Sequence, residues 1–227
     1  MVAFGDLRES WSLRDCSRPT VHVEDTTTGA RIFAEDGLLM LCSPGAESLS
    51  IFYGNDGWQL ERGDSTLCLS DGETFLFDRR LHRFHMANAA SQTVTLNQPV
   101  RLSSSTLHIR VTSDEEDVSA ILESGHRLID LGMRHSFYLL LILARKRLAD
   151  AERAGCDPGW IAVSDLLRML PDYGSPEHLN VDVYRLRRLL VQQGVSDAPS
   201  IIERFDGQVR LGCSNFVVEQ QGVDDVS

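Results

Sequence analysis

Between positions 20 and 85 the apolar residues come in runs of four or five that alternate with polar ones or are continuous, separated by Gly, Asp, Asn and Ser. Period-two spacing with such punctuation predicts strands rather than helices. The runs fall at Thr20–Val23, Arg31–Ala34, Leu38–Cys42, Leu49–Tyr53, Trp58–Glu61, Thr74–Phe77 and Leu81–His85, with Gly54-Asn55-Asp56-Gly57 as a hairpin turn. Five to seven strands at this spacing make a compact all-β sandwich or barrel. Residues 88–105 lose the alternation and carry Pro99 and Ser103-Ser104-Ser105, which reads as a connection.

From Thr106 the pattern changes. Leu107–Val111, Val118–Glu123 and Arg127–Leu131 read as three antiparallel strands, with an acidic turn at Asp114–Asp117. Phe137, Leu140, Leu141, Ala144 and Leu148 then recur at helical spacing and predict a helix over 134–154, closed by Gly155 and Pro158. A second helix opens at Ser164 as N-cap and ends at Pro171; a third has Pro176 in its first turn, turns Leu179, Val183, Leu186 and Leu190 inward, and stops at Gly194. Ile201–Leu211 closes the pattern as a hairpin about Asp206-Gly207. The reading is two domains: an all-β sandwich over 1–87, a linker over 88–105, an α+β domain of order β-β-β-α-α-α-β-β over 106–219, and a flexible tail over 220–227.

The 227 residues are long enough for two modest cores, and 42% hydrophobic with 24% charged residues is an ordinary globular composition. The longest apolar run, Phe137–Ala144, is too short to span a bilayer, so the expectation is a cytoplasmic protein with no membrane partner. Five scattered cysteines without a CxxC pair suggest neither a disulfide framework nor a zinc site, and read as buried small hydrophobes. The net charge of −11 is spread along the chain, so general affinity for nucleic acid is excluded. Any surface for DNA must be a local basic patch.

The third helix supplies one. Val181-Asp182-Val183-Tyr184-Arg185-Leu186-Arg187-Arg188-Leu189-Leu190, preceded by Arg127–Leu131 with Phe137–Leu140 and followed by the hairpin Ile201–Leu211, resembles the winged-helix effector domains of OmpR/PhoB-type response regulators. That resemblance implies that the third helix enters the major groove of double-stranded DNA while the hairpin wing touches the backbone, with contacts from Tyr184, Arg185, Arg188, Gln192 and Arg204. On a helical wheel Arg185, Arg188 and Gln192 share a face opposite Leu186 and Leu190. Asp182 and Tyr184, read as exposed, and the nearby Asp172, Glu177 and Asp206 oppose a polyanion. The alternative for these arginines is a solvated face or pairing to local carboxylates.

In the first half, Leu67–Phe84 is similar to the closing strands of a forkhead-associated (FHA) domain. The resemblance implies a β-sandwich that docks a protein partner. Phosphothreonine recognition would need a cation in the Leu38–Phe52 stretch, which has no Arg, Lys or His, so a phosphopeptide-binding set remains unknown. His82 and His85 fall on opposite faces of their strand, and no metal or other cofactor is expected.

There is no Gly-rich phosphate loop, HExxH or G-x-S-x-G, so no enzyme is expected. The Asp114–Asp117 carboxylates read as a solvated turn and His126 as a hairpin residue. The functional expectation is a bacterial transcription regulator that binds specific DNA through a winged helix and a protein partner through its β-sandwich, with homodimerisation left open. The rival is a non-enzymatic adaptor whose two domains bind only proteins.

Overall fold

The structure is a computed structural model of the chain, and it describes residues 3–4, 11–12, 21–44, 47–54, 57–63, 65–86, 100–151, 157–170 and 173–221. It is a mixed α+β protein: antiparallel sheets of strands alone in the N-terminal part, three helices with further sheets in the C-terminal part. The two-residue strands β1 (Ala3–Phe4) and β2 (Trp11–Ser12) pair with each other.

Two four-stranded sheets follow. One has the order β4-β3-β10-β9, from β3 (His22–Asp25), β4 (Arg31–Phe33), β9 (Thr74–Phe77) and β10 (Arg80–His85). The other runs β5-β6-β7-β8, from β5 (Leu38–Leu41), β6 (Leu49–Gly54), β7 (Gly57–Arg62) and β8 (Ser65–Cys68). Each expected run in this region overlaps a strand, with Thr20 and the turn residues Asn55 and Asp56 outside the described residues, and β8 is additional. Its burial gives no alternation to read, since Ser65, Thr66, Leu67 and Cys68 are all exposed.

Alternation fills one core with Val23, Leu39, Leu41, Leu49, Ile51, Leu60, Leu69, Phe77 and Phe84. Leu38 and Phe52 pair directly across β5 and β6 and are buried, yet they lie outside this core. They sit on the other face of the sheet, beneath the C-terminal part.

The C-terminal part has a sheet of order β13-β12-β11-β17, from β11 (Thr106–Thr112), β12 (Val118–Ser124), β13 (Arg127–Met133) and β17 (Phe216–Gln221). β17 runs parallel to β11, so Gln220 and Gln221, expected in a frayed tail, belong to a paired strand. Period-two patterning is weak there, because the polar run Glu219–Gln221 is held through backbone hydrogen bonds. Between these strands come α1 (Phe137–Ala151), β14 (Ile161–Ala162), α2 (Val163–Met169) and α3 (Pro176–Gln192), then the hairpin β15 (Ile202–Phe205) and β16 (Gln208–Leu211), on which β14 pairs as a third strand.

α1 begins three residues later than expected, since Arg134–Ser136 form the turn leading into it. Leu148, expected inward, is exposed in its last turn. α2 starts at Val163 with Ala162 at the N-cap, not Ser164. Val100 and Leu102, from the stretch read as linker, are buried in the C-terminal core with Phe137, Leu140, Leu186 and Leu211. Cys213 is buried there, whereas Cys42 and Cys68 are exposed, contrary to the reading of all cysteines as core; Cys16 and Cys156 lie outside the described residues. No helix among the described residues is long and apolar enough to cross a membrane.

Candidate functional site

α3 presents three flanks, and two of them carry chemistry. The apolar flank, Leu179, Val183, Leu186 and Leu190, faces the C-terminal core. About a quarter-turn around the helix, Asn180, Tyr184 and Arg187 face the N-terminal sheet. On the remaining side, Asp182, Arg185, Leu189 and Gln192 border an open groove.

The sheet-facing flank is an ionic lock. Arg187 donates to both carboxylate oxygens of Glu61 on β7, Nη1 to Oε1 at 3.1 Å and Nη2 to Oε2 at 2.9 Å. It also donates to the carbonyls of Pro199 and Ile202, and its guanidinium lies 4.6 Å from the centroid of the Phe52 ring. From the hairpin, Arg204 brings Nε to 3.3 Å from Glu61 Oε1 and donates to the Gly63 carbonyl and to Asn180 Oδ1. Asn180 in turn donates to Ser48 Oγ at 2.9 Å. Side-chain exposures of 3% for Arg187, 4% for Arg204 and 8% for Glu61 put all three charges out of water. Burial would raise the Glu61 pKa, but Arg187 and Arg204 outweigh it and hold the carboxyl below its ordinary value.

The local pattern explains this placement. Leu60 points into the N-terminal core, so Glu61 must point to the opposite face, where Phe52 and Ser50 also lie. On α3, Arg187 follows the inward Leu186 by one position, which turns it to the helix flank nearest the hairpin.

The open groove has a volume of about 430 Å³ and lies between the turn before α1 and the outer side of α3. Arg134, Arg185 and Arg188 bring three guanidinium groups to it, with His135 and Gln192. Asp182 is the one carboxylate among the described residues that line it. The aspartate is not the exposed acid the sequence suggested: its side chain is 15% exposed and accepts from Tyr173 Oη at 2.6 Å and from Arg185 Nη1 at 3.1 Å. Arg185 itself remains 70% exposed. Arg185 pairs with Asp182 and Arg188 with Glu35, and with Arg134 beside them the recess keeps an excess of cations, open to the phosphate and base-edge contacts that Arg makes bidentately.

The five residues expected to touch DNA are therefore divided. Arg185, Arg188 and Gln192 line the groove together. Arg188 also pairs with Glu35 of the N-terminal part. Tyr184 is half-buried on that side, and burial raises its phenol pKa. Arg204 is locked on Glu61, away from the groove. At the hairpin tip Phe205 is exposed beside Trp160, and Arg210 covers the Trp160 ring while pairing with Asp157 and Glu203. Arg204 is thus turned toward Glu61 and Gly63 of the N-terminal part, not toward the groove that Arg185, Arg188 and Gln192 line.

Sequence reasoning missed Arg134 and His135, which sit in a turn without periodicity and meet α3 only through the fold. It also missed Glu61, whose partner Arg187 is 126 positions away. The acidic stretch forms the turn expected, but Glu115, read there as solvated, is half-buried and held by Arg145 at 2.7 Å. No protein-family model matches the chain, and no curated protein or solved structure matches it.

Proposed function

We propose that the chain is a DNA-binding transcriptional regulator. In this reading the C-terminal part is a winged helix with α3 as its recognition helix and β15–β16 as its wing, and the N-terminal part is a forkhead-associated-like sandwich that docks a protein partner. The observation that carries it is the convergence of Arg134, Arg185, Arg188 and Gln192 on one open groove along α3. DNA meets α3 from that side. The N-terminal part engages Arg204 through Glu61 and the Gly63 carbonyl, so Arg204 reaches a phosphate only after that part moves away.

The test is selection of binding fragments from a random duplex library at low salt, followed by mobility shifts. Arg185→Ala with Arg188→Ala removes two charge-assisted contacts worth about 1.5–3 kcal/mol each, so affinity falls on the order of a hundredfold or more. The slope of log affinity against log salt becomes shallower by up to about 1.8, at about 0.9 per phosphate. Failure to select any sequence, or affinity untouched by the double substitution, removes the reading.

A second reading is favoured by the lock itself. With Arg187 and Arg204 spent on Glu61 and with Phe205 and Asp206 at the wing tip, the C-terminal part suits an adaptor that binds protein. That reading expects no selected duplex and a protein captured in a manner sensitive to Phe205→Ala.

A further inference from the structure

We propose that His22, Glu24 and His85 bind a divalent transition-metal ion of the zinc class on the outer face of the sheet β4-β3-β10-β9. β3 is flanked by β4 and β10, and the registers align Phe33, His22 and His85 in one row and Arg31, Glu24 and Arg83 in the next. Val23 and Phe84 point into the core, so both rows face outward. The candidate ligand atoms of His22, Glu24 and His85 lie within 4.8 Å of one another. The two imidazoles are near-parallel, with centroids 4.7 Å apart, and Phe33 stands 5.3 Å from His22 as an apolar wall.

His85 Nε2 is shut off from solvent and has no hydrogen-bond partner among the described residues. Glu24 Oε2 is 3.7 Å from it, beyond hydrogen-bond reach. A buried ring nitrogen in that position calls for a ligand. Two imidazoles with one carboxylate form a borderline donor set, taken by Zn²⁺, Co²⁺ and Ni²⁺ ahead of Mg²⁺ or Ca²⁺.

Bonds of about 2.0–2.1 Å require the ligand atoms to close to roughly 3.3 Å. That is a rotation of partly exposed side chains on strands whose register the ladder already fixes. Arg31 Nε, 3.2 Å from Glu24 Oε2, holds the carboxylate in place as an outer partner. Arg31 and Arg83 repel a further cation, which sets the expected affinity at micromolar rather than nanomolar. Three protein ligands leave an outward position for water or for a partner's side chain, and the ion staples β3 to β10.

The experiment uses the full chain: Co²⁺ titrated by visible absorbance, Zn²⁺ by calorimetry, and melting temperature with and without Zn²⁺. One ion per chain and a metal-dependent rise in melting temperature are expected. His22→Ala, His85→Ala and Glu24→Gln each weaken binding tenfold or more while leaving the metal-free melting temperature in place, and His126→Ala changes nothing. Absence of saturable binding, or binding unchanged in His85→Ala and Glu24→Gln, overturns the proposal; should His85→Ala fail to fold, the Glu24→Gln and His22→Gln titrations decide it.

Discussion

Replacing Glu61 by alanine removes the carboxylate that two buried guanidinium groups share. Arg187 keeps the Pro199 and Ile202 carbonyls, and Arg204 keeps the Gly63 carbonyl and Asn180 Oδ1, so hydrogen bonding is lost only in part. Arg187, however, loses the carboxylate that pairs with it at a side-chain exposure of 3%. Breaking a buried pair by removing one partner costs about 3–5 kcal/mol. At about 1.4 kcal/mol per decade, that is two to three and a half decades in an equilibrium constant. The N- and C-terminal cores are separate clusters, so the strain has an outlet. Parting the two halves rehydrates both arginines without unfolding either core. Urea unfolding followed by tryptophan fluorescence, with small-angle scattering at zero urea, should show a larger radius of gyration and a split transition. Glu61→Leu with Arg187→Met should be milder than Glu61→Ala alone, because no unpaired charge is made at that pair. A Glu61→Ala protein within about 0.5 kcal/mol of the parent, with unchanged scattering, refutes the reasoning, since that is the range of a neutral surface substitution.

Acid should loosen the N-terminal part through two carboxylates. The backbone N–H of Thr27, with help from Thr28 and Arg80 and against burial, lowers the Asp25 pKa to about 2, and Glu61 is likewise held below its ordinary value. Depressed pKa values stabilise fully above the unfolded values, about 3.9 and 4.3, and that contribution is lost as pH falls toward the folded ones. Urea midpoints should therefore drop from about pH 4 to about pH 2, less steeply in Asp25→Asn, and equal slopes in the two proteins would count against this. Gly212→Ala puts a methyl carbon 1.8 Å from the Ser200 carbonyl oxygen, so the backbone between the hairpin and the turn at 198–201 must shift. A loss at the upper end of about 1–3 kcal/mol is expected in the denaturation midpoint, and a neutral Gly212→Ala contradicts the packing.

Where local pattern decides the outcome, the fold was legible. The third helix runs from Pro176 as read, because Leu179, Val183, Leu186 and Leu190 keep a 3.6-residue period and Pro fits the first turn. β8 and β17 escaped because exposed Ser65–Cys68 and polar Glu219–Gln221 earn their place through ladder hydrogen bonds, which do not depend on side-chain type. The groove was half legible. Arg185, Arg188 and Gln192 share a face that a helical wheel shows, whereas Arg134 joins them only because the fold sets the turn before α1 beside α3. Glu61 was out of reach for a different reason. A lone acid on a strand is ordinarily solvated, and its burial follows from an interface between two halves that are each self-sufficient in core.

Arg188 links the two surfaces of α3, and its energetics differ from those of the lock. It lines the groove and also pairs with Glu35, at side-chain exposures of 41% and 63%. An exposed pair of this kind is worth at most about 1 kcal/mol, whereas a charge-assisted contact to phosphate is worth about 1.5–3 kcal/mol. Under the proposed DNA reading, a phosphate therefore takes Arg188 from Glu35 without disturbing the sandwich. Arg204 is different, because its release leaves Glu61 with a single partner in a dry site. Binding then proceeds in two grades: contact along α3 with the halves docked, and a tighter mode using the wing once Glu61 has been freed. Glu35→Gln should leave affinity for a selected duplex within about twofold, since it removes only an exposed competitor. Glu61→Ala should raise affinity tenfold or more by exposing Arg204, and measuring both in one mobility-shift series separates a lock on the wing from a general gain of positive charge. Equal effects of the two substitutions, each removing one negative charge, would mean that net charge alone is responsible and that the lock plays no part.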